Sequence, residues 1–96
     1  MPAVCRIGDA DVPHCSGMVR LGGSINVFVN GIGVSRQTDV NTSHLLPGIP
    51  CPTHAAPITV GSLTVKVNGL GCGRIGDSLT ACTSVAAGSI NVFAGG

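Results

Sequence analysis

The chain has 96 residues, no Trp, Tyr or Glu, only Phe28 and Phe93 as large aromatic side chains, and a net charge of +1 from nine charged residues. It is a single domain, 1–96, near the lower size limit for a self-sufficient core. It carries too little charge for a nucleic-acid-binding stripe and no apolar run near the ~18 residues of a membrane-spanning helix. Fifteen glycines, six prolines and a single Lys argue against helix, and short β-branched runs between glycine turns predict an all-β fold.

The amino terminus lacks a basic region followed by an apolar run, so no secretory signal is visible. The cysteines are expected to start as thiols in a reducing cytosol. Arg6-Ile7-Gly8-Asp9 leads to His14, eight positions after the arginine, and residues 15–23 form a short connection. Residues 25–29 alternate, with Ile25, Val27 and Val29 on one side and Asn26 and Phe28 on the other. That pattern predicts a strand burying its Ile–Val–Val face. Asn30-Gly31 suits a tight hairpin turn with positive φ. It folds the strand back onto the segment that carries Arg36 and Asp39 and runs on to His44. Within that segment Asn41-Thr42-Ser43 matches a glycosylation sequon, idle without secretion. Residues 45–61 hold Pro47, Pro50, Pro52 and Pro57 and are expected to be a stiff loop without regular structure. They also carry His54. Leu63, Val65 and Val67 repeat the strand, Asn68-Gly69 the turn, and Arg74 with Asp77 the charged pair, while Cys82 takes the histidine's place. Gly69-Leu70-Gly71-Cys72-Gly73 faintly resembles a phosphate loop but precedes no helix, so its glycines read as hairpin residues. After the connection 83–88, Ile90, Val92 and Ala94 form a third strand, and Gly95-Gly96 stand where its turn belongs.

These elements share one register. Ser24 and Ser62 open two copies in which Arg follows twelve positions on, Asp fifteen, and His or Cys twenty. A third copy opens at Ser89 and is cut by the termini; its second half is the Arg6–His14 stretch, and Gly96 and Met1 occupy the same repeat position. A repeat split in this way needs its ends side by side. The expectation is a closed object with pseudo-threefold symmetry, formed within one chain and monomeric when free. Three equal copies of an acid do not make an active site. Asp9, Asp39 and Asp77 are expected to accept backbone N–H bonds and to pair with their arginines, and the protein is expected not to be an enzyme.

Closure would bring His14, His44 and Cys82 together. A tetrahedral zinc site needs a fourth ligand, and the insertion carries the one remaining histidine, His54, with Cys51 and Cys15 as competitors. Three imidazoles and a thiolate suit zinc, with iron as the alternative metal. Four protein ligands would leave no open position, which marks a structural site rather than a catalytic one; a metal-dependent hydrolase would require an exchangeable water on the metal. Cys5, Cys15, Cys51 and Cys72 fall off the shared positions and read as small buried hydrophobes. A Cys15–Cys51 disulfide is an option in an oxidising setting.

Residues 67–77, Val-Asn-Gly-Leu-Gly-Cys-Gly-Arg-Ile-Gly-Asp, followed by Cys82, resemble the signature of PAAR-repeat proteins, as does Arg6-Ile7-Gly8-Asp9 followed by His14. The resemblance covers essentially the whole chain. It departs from the Pro-Ala-Ala-Arg motif itself, for which this chain has Gly71-Cys72-Gly73-Arg74, Gly33-Val34-Ser35-Arg36 and Ala3-Val4-Cys5-Arg6, keeping only the arginines. The resemblance implies a small cone with zinc near its vertex, held by His14, His44, His54 and Cys82. It implies one copy capping the trimeric β-helical spike of a contractile injection machine, a phage tail or a type VI secretion system, for membrane puncture. A virion baseplate location, assembly in a bacterial cytoplasm and transient contact with a target membrane follow from the same resemblance. Many such proteins carry toxin extensions; the repeat boundary at Gly96 leads to the expectation of a bare tip, the phage setting being favoured. The alternative is an adaptor linking the spike to separately encoded effectors, with Phe28, Lys66 and Phe93 as candidate surface residues.

Overall fold

The computed structural model describes residues 1–12, 17–42, 44–45, 53–80 and 83–95, with 44, 45, 53 and 54 described by their backbone. Among these residues there is no helix. Six two-residue strands, β1 (Phe28–Val29), β2 (Ile32–Gly33), β3 (His44–Leu45), β4 (Thr53–His54), β5 (Lys66–Val67) and β6 (Leu70–Gly71), pair antiparallel as β1–β2, β3–β4 and β5–β6. Isolated β-bridges supply the remaining extended pairing. The fold is a compact all-β domain measuring 39 × 23 × 21 Å.

Two of these hairpins form where the turn residues dictate. Asn30 and Gly31 have φ of 56° and 76°, and Asn68 and Gly69 have 54° and 79°. Positive φ at both central residues matches the right-handed twist of the flanking strands. At the corresponding place in the third copy, the described residues form a bridge, Ala3 to Phe93.

The alternating apolar runs do not form three full strands with a buried face. Ile25, Leu63 and Ile90 are 93%, 68% and 93% exposed, whereas the last apolar residues of the runs, Val29, Val67 and Ala94, are part-buried or buried. The cause is the serine that precedes each run. Ser24 Oγ accepts from the N–H groups of Asn26 (3.2 Å) and Val27 (2.9 Å). Ser62 Oγ does so for Thr64 and Val65, and Ser89 Oγ for Asn91 and Val92. A hydroxyl bonded two and three residues ahead imposes a bend, and the residue after the serine is thrown outward.

At the centre of the molecule lies a closed cycle of backbone bonds. Cys5 N–H donates to Gly73 C=O (3.0 Å), Gly73 N–H to Ser35 C=O (2.9 Å), and Ser35 N–H to Cys5 C=O (3.1 Å). Each is the residue before a repeat arginine. Space inside the cycle admits two side chains and no third. A Cβ on Gly73 would stand 2.7 Å from Cys5 Sγ, Ile58 Cδ1 and Ser35 O. On one side Val4, Val34, Val67, Cys72 and Ala94 pack together; Cys5, Ala56, Ile58, Leu79 and Val85 form a second buried cluster.

Beyond the cycle the chain forms three antiparallel ribbons. The first joins 9–12 to 17–20 through an Ala10–Val19 bridge, and the third joins 77–80 to 83–85 through a Ser78–Ser84 bridge. The second joins 39–42 and 44–45 to 53–58 through β3–β4 and a Val40–Pro57 bridge. The proline-rich insertion is therefore partly regular, against the expectation of a structureless loop. Pro57 can join because it sits at a non-hydrogen-bonded position of the ribbon, so no donor is missing. Its neighbours carry the ladder bonds, Asn41 N–H to Ala56 C=O (3.1 Å) and Ile58 N–H to Asp39 C=O (3.2 Å).

Thr38 adopts φ of 76° at the repeat position where Gly8 and Gly76 have 91° and 88°. A β-branched residue with positive φ is strained by about 1–3 kcal/mol. Thr38→Gly is expected to raise stability by ~1 kcal/mol after the backbone entropy of glycine is deducted. A chemical-denaturation midpoint that moves down instead would show that the strain is relieved elsewhere.

Candidate functional site

Each repeat arginine is tied to its aspartate and to the next copy. Asp9 Oδ2 accepts from the backbone N–H (2.7 Å) and Nε (2.9 Å) of Arg6, and Oδ1 accepts from Nη2 (3.0 Å). Asp39 with Arg36 and Asp77 with Arg74 repeat all three bonds. The bond to the carboxylate raises the pKa of each guanidinium. The free Nη1 reaches onward: Arg6 to Asn30 Oδ1 (3.1 Å), Arg36 to Asn68 Oδ1 (3.0 Å) and Arg74 to Gly95 O (3.0 Å). In the copy that lacks the asparagine, the Gly95 carbonyl takes its role and also accepts from Ser62 Oγ. These carboxylates are consumed by structural bonds, as expected from their triplication.

The segments that lead to the candidate ligands are joined two residues short of them. Val12 N–H donates to Ser84 C=O (2.9 Å), Thr42 N–H to Val19 C=O (2.9 Å) and Thr80 N–H to Pro57 C=O (3.0 Å). Each bond links one ribbon to another, and together they link all three pairs of ribbons. His14, His44 and Cys82 follow two positions after these donors. His14 and Cys82, like Cys15 and Cys51, lie outside the described residues. For His44 and His54 the backbone places the two positions directly opposite each other in the β3–β4 ladder, with Leu45 opposite Thr53. Directly opposed positions are the nearest cross-strand neighbours in an antiparallel pair. Among the residues expected to form the metal set, this pair is brought together by the described backbone. The donor types of the expected set, three imidazoles and a thiolate, suit zinc in number and chemistry.

Behind these segments lies a buried polar group that the repeat pattern did not point to. Arg20 and Asp11 are both wholly buried, with Nε 3.2 Å from Oδ2, a contact of charges rather than an aligned hydrogen bond. Asn41 Nδ2 donates to Asp11 Oδ2 (3.0 Å), and Asn41 Oδ1 accepts from Ala56 N–H (2.8 Å). Arg20 also donates from Nη1 to Asp39 O (3.2 Å) and from Nη2 to Ala56 O (3.3 Å). The signal was present in the composition: besides Lys66, Arg20 and Asp11 are the charges outside the Arg-x-x-Asp elements. Asn41, fully buried and bonded on both faces of its amide, is unavailable as a glycosylation acceptor.

Cys5 and Cys72 are free, buried thiols, as read from their off-register positions. Burial pushes the Cys5 thiol from 9.0 up to about 12 and raises that of Cys72. Because the folded value is raised, this contribution to stability is complete below pH 9 and is lost as pH climbs through the window up to about 12. Alkaline titration of the denaturation midpoint should show that decline, and Cys5→Ala should flatten the slope by up to ~1.4 kcal/mol per pH unit. An unchanged slope would mean that the Cys5 thiol ionises in the folded state as readily as in the unfolded chain.

Comparison with known proteins found no matching family model and no matching curated protein.

Proposed function

We propose that this protein is a structural, non-enzymatic tip: a small pseudo-threefold cone that caps and sharpens the trimeric β-helical spike of a contractile injection machine. A phage baseplate is favoured over a type VI secretion system, and the cone meets the target membrane transiently as the spike punctures it. The observation that carries the reading is the closed set of bonds linking copy to copy and the last copy back to the first. It includes the Cys5–Gly73–Ser35 cycle and the Arg6–Asn30, Arg36–Asn68 and Arg74–Gly95 contacts. All copies are consumed within one chain, so one molecule offers three near-equal faces to three identical spike chains without a mismatch of symmetry. One long dimension and two nearly equal short ones, 39 × 23 × 21 Å, suit a tapered body.

Its vertex is cross-linked by one zinc ion, held by His14, His44, His54 and Cys82. The metal replaces the apolar core that a point cannot contain. Its base is the face bearing Ile25, Leu63 and Ile90, which stand exposed at one repeat position. Isolated large apolar side chains at three equivalent bends are suited to burial against a threefold partner.

Native mass measurement of the protein mixed with a trimeric β-helical spike fragment tests the docking. One copy per three spike chains is expected, and Ile25→Asp with Ile90→Asp should weaken binding at least ~10-fold, since an unpaired charge would be buried at each site. A 3:3 complex, or a stable homotrimer of the free protein, would refute closure within one chain.

A further inference from the structure

We infer that Arg20, Asp11 and Asn41 form a buried clamp that sets the spacing of the segments bearing His14, His44 and His54, so that the site is held ready for its metal before the metal arrives. The inference rests on the metal reading above and extends it to residues that ligate nothing. Asp11 lies three positions before His14, Asn41 three before His44, and Ala56 two after His54. The clamp holds all three segments at once. Ala56 is gripped at both its N–H, by Asn41 Oδ1, and its C=O, by Arg20 Nη2. Asn41 in turn donates to the Asp11 carboxylate that faces Arg20.

The repeat register supplies a control within the molecule. Gly8, Thr38 and Gly76 N–H donate to the carbonyls of Arg20, Ile58 and Val85, which makes these three equivalent. Asp11, Asn41 and Leu79 are likewise equivalent, each five positions after a repeat arginine. The copy that bears Cys82 thus has Leu79 and Val85 at these places, both buried. Apolar residues suffice for packing there. The copy that bears His44 is mixed, with Asn41 at one place and Ile58 at the other, and the copy that bears His14 is polar at both, with Asp11 facing Arg20. Outer groups that orient metal ligands are typically worth about 10–100-fold in metal affinity.

The test uses the full chain loaded with zinc. Three variants are compared with wild type: the pair Arg20→Ile with Asp11→Leu, which copies the apolar equivalents; Asn41→Leu; and Arg20→Lys, which keeps a cation beside Asp11 but gives up the guanidinium fork. Zinc affinity is read by chelator competition, and amide exchange is read at Ala56 and at Cys5, Ser35 and Gly73. The expected result is zinc binding weaker by ~10–100-fold in the pair variant and in Asn41→Leu, with Arg20→Lys intermediate. Ala56 should lose protection in Asn41→Leu while the central cycle keeps its own. A variant that retains the protected cycle and binds zinc as tightly as wild type overturns the clamp and leaves the metal reading standing. Wild-type protein that takes up no zinc overturns the metal reading itself, and the clamp's role in ligation with it.

Discussion

Replacing His44 or Cys82 by alanine is expected to abolish the proposed zinc binding and to lower the melting temperature far more than Cys72→Ala. Structural zinc contributes on the order of 10 kcal/mol of apparent binding free energy in small domains. That is comparable with the whole net stability of a domain, roughly 5–15 kcal/mol. The loss should be large here because the two buried apolar clusters are small. Cys72 is buried against Val4 and Val34, so its truncation costs a small cavity, on the order of 1 kcal/mol. Thermal denaturation with and without a chelator, alongside elemental analysis of each variant, separates the two cases. Wild type should hold one zinc per chain and fall to the His44→Ala melting temperature when the metal is removed. Equal, small effects at all three positions would count against the ligand assignment.

Asp11→Leu alone is expected to destabilise the fold by about 3–5 kcal/mol, because it leaves the guanidinium of Arg20 buried opposite a hydrocarbon. The carbonyls of Asp39 and Ala56 would remain as partners, at 3.2 and 3.3 Å, and they cannot neutralise a full charge. Adding Arg20→Ile should recover most of the loss, since a buried ion pair exchanged for packed apolar residues is often neutral or stabilising. The contrast between single and double variant, read from urea midpoints in chelator-treated and zinc-loaded samples, isolates the pair from the metal. A single variant as stable as wild type would mean that water reaches Arg20. If the double variant recovers stability without recovering zinc affinity, folding and site alignment are served by different properties of the same residues.

The local features were legible because their bonds are short in sequence. Asn30-Gly31 and Asn68-Gly69 specify their turns through the positive φ that these residues tolerate, and Asp9, Asp39 and Asp77 reach their arginines' N–H groups three residues away. The register of Ser, Arg and Asp was readable too, and the bonds that join successive copies follow it. Alternation at 25–29, 63–67 and 90–94 was also plain, yet its outcome was not. Whether Ile25 is covered depends on where the Ser24 hydroxyl bends the chain and on what packs above it, and period two carries neither fact. The strand at Thr53–His54 escaped notice because local proline content masked a partner, His44–Leu45, at the other end of the insertion.

The sequence by itself determined an all-β chain of three registered copies, its turns, and the Arg–Asp pairs, since each is encoded in the identity and spacing of a few neighbouring residues. Only the tertiary structure decided that residues 44 and 54 share a ladder rung, that Ile25, Leu63 and Ile90 face outward, and that Arg20, Asp11 and Asn41 meet in the interior. Those outcomes depend on contacts between residues up to 36 positions apart, as between Arg20 and Ala56. Such contacts are set by how the ribbons pack and by the demand that a buried charge find a partner, and no local pattern records either.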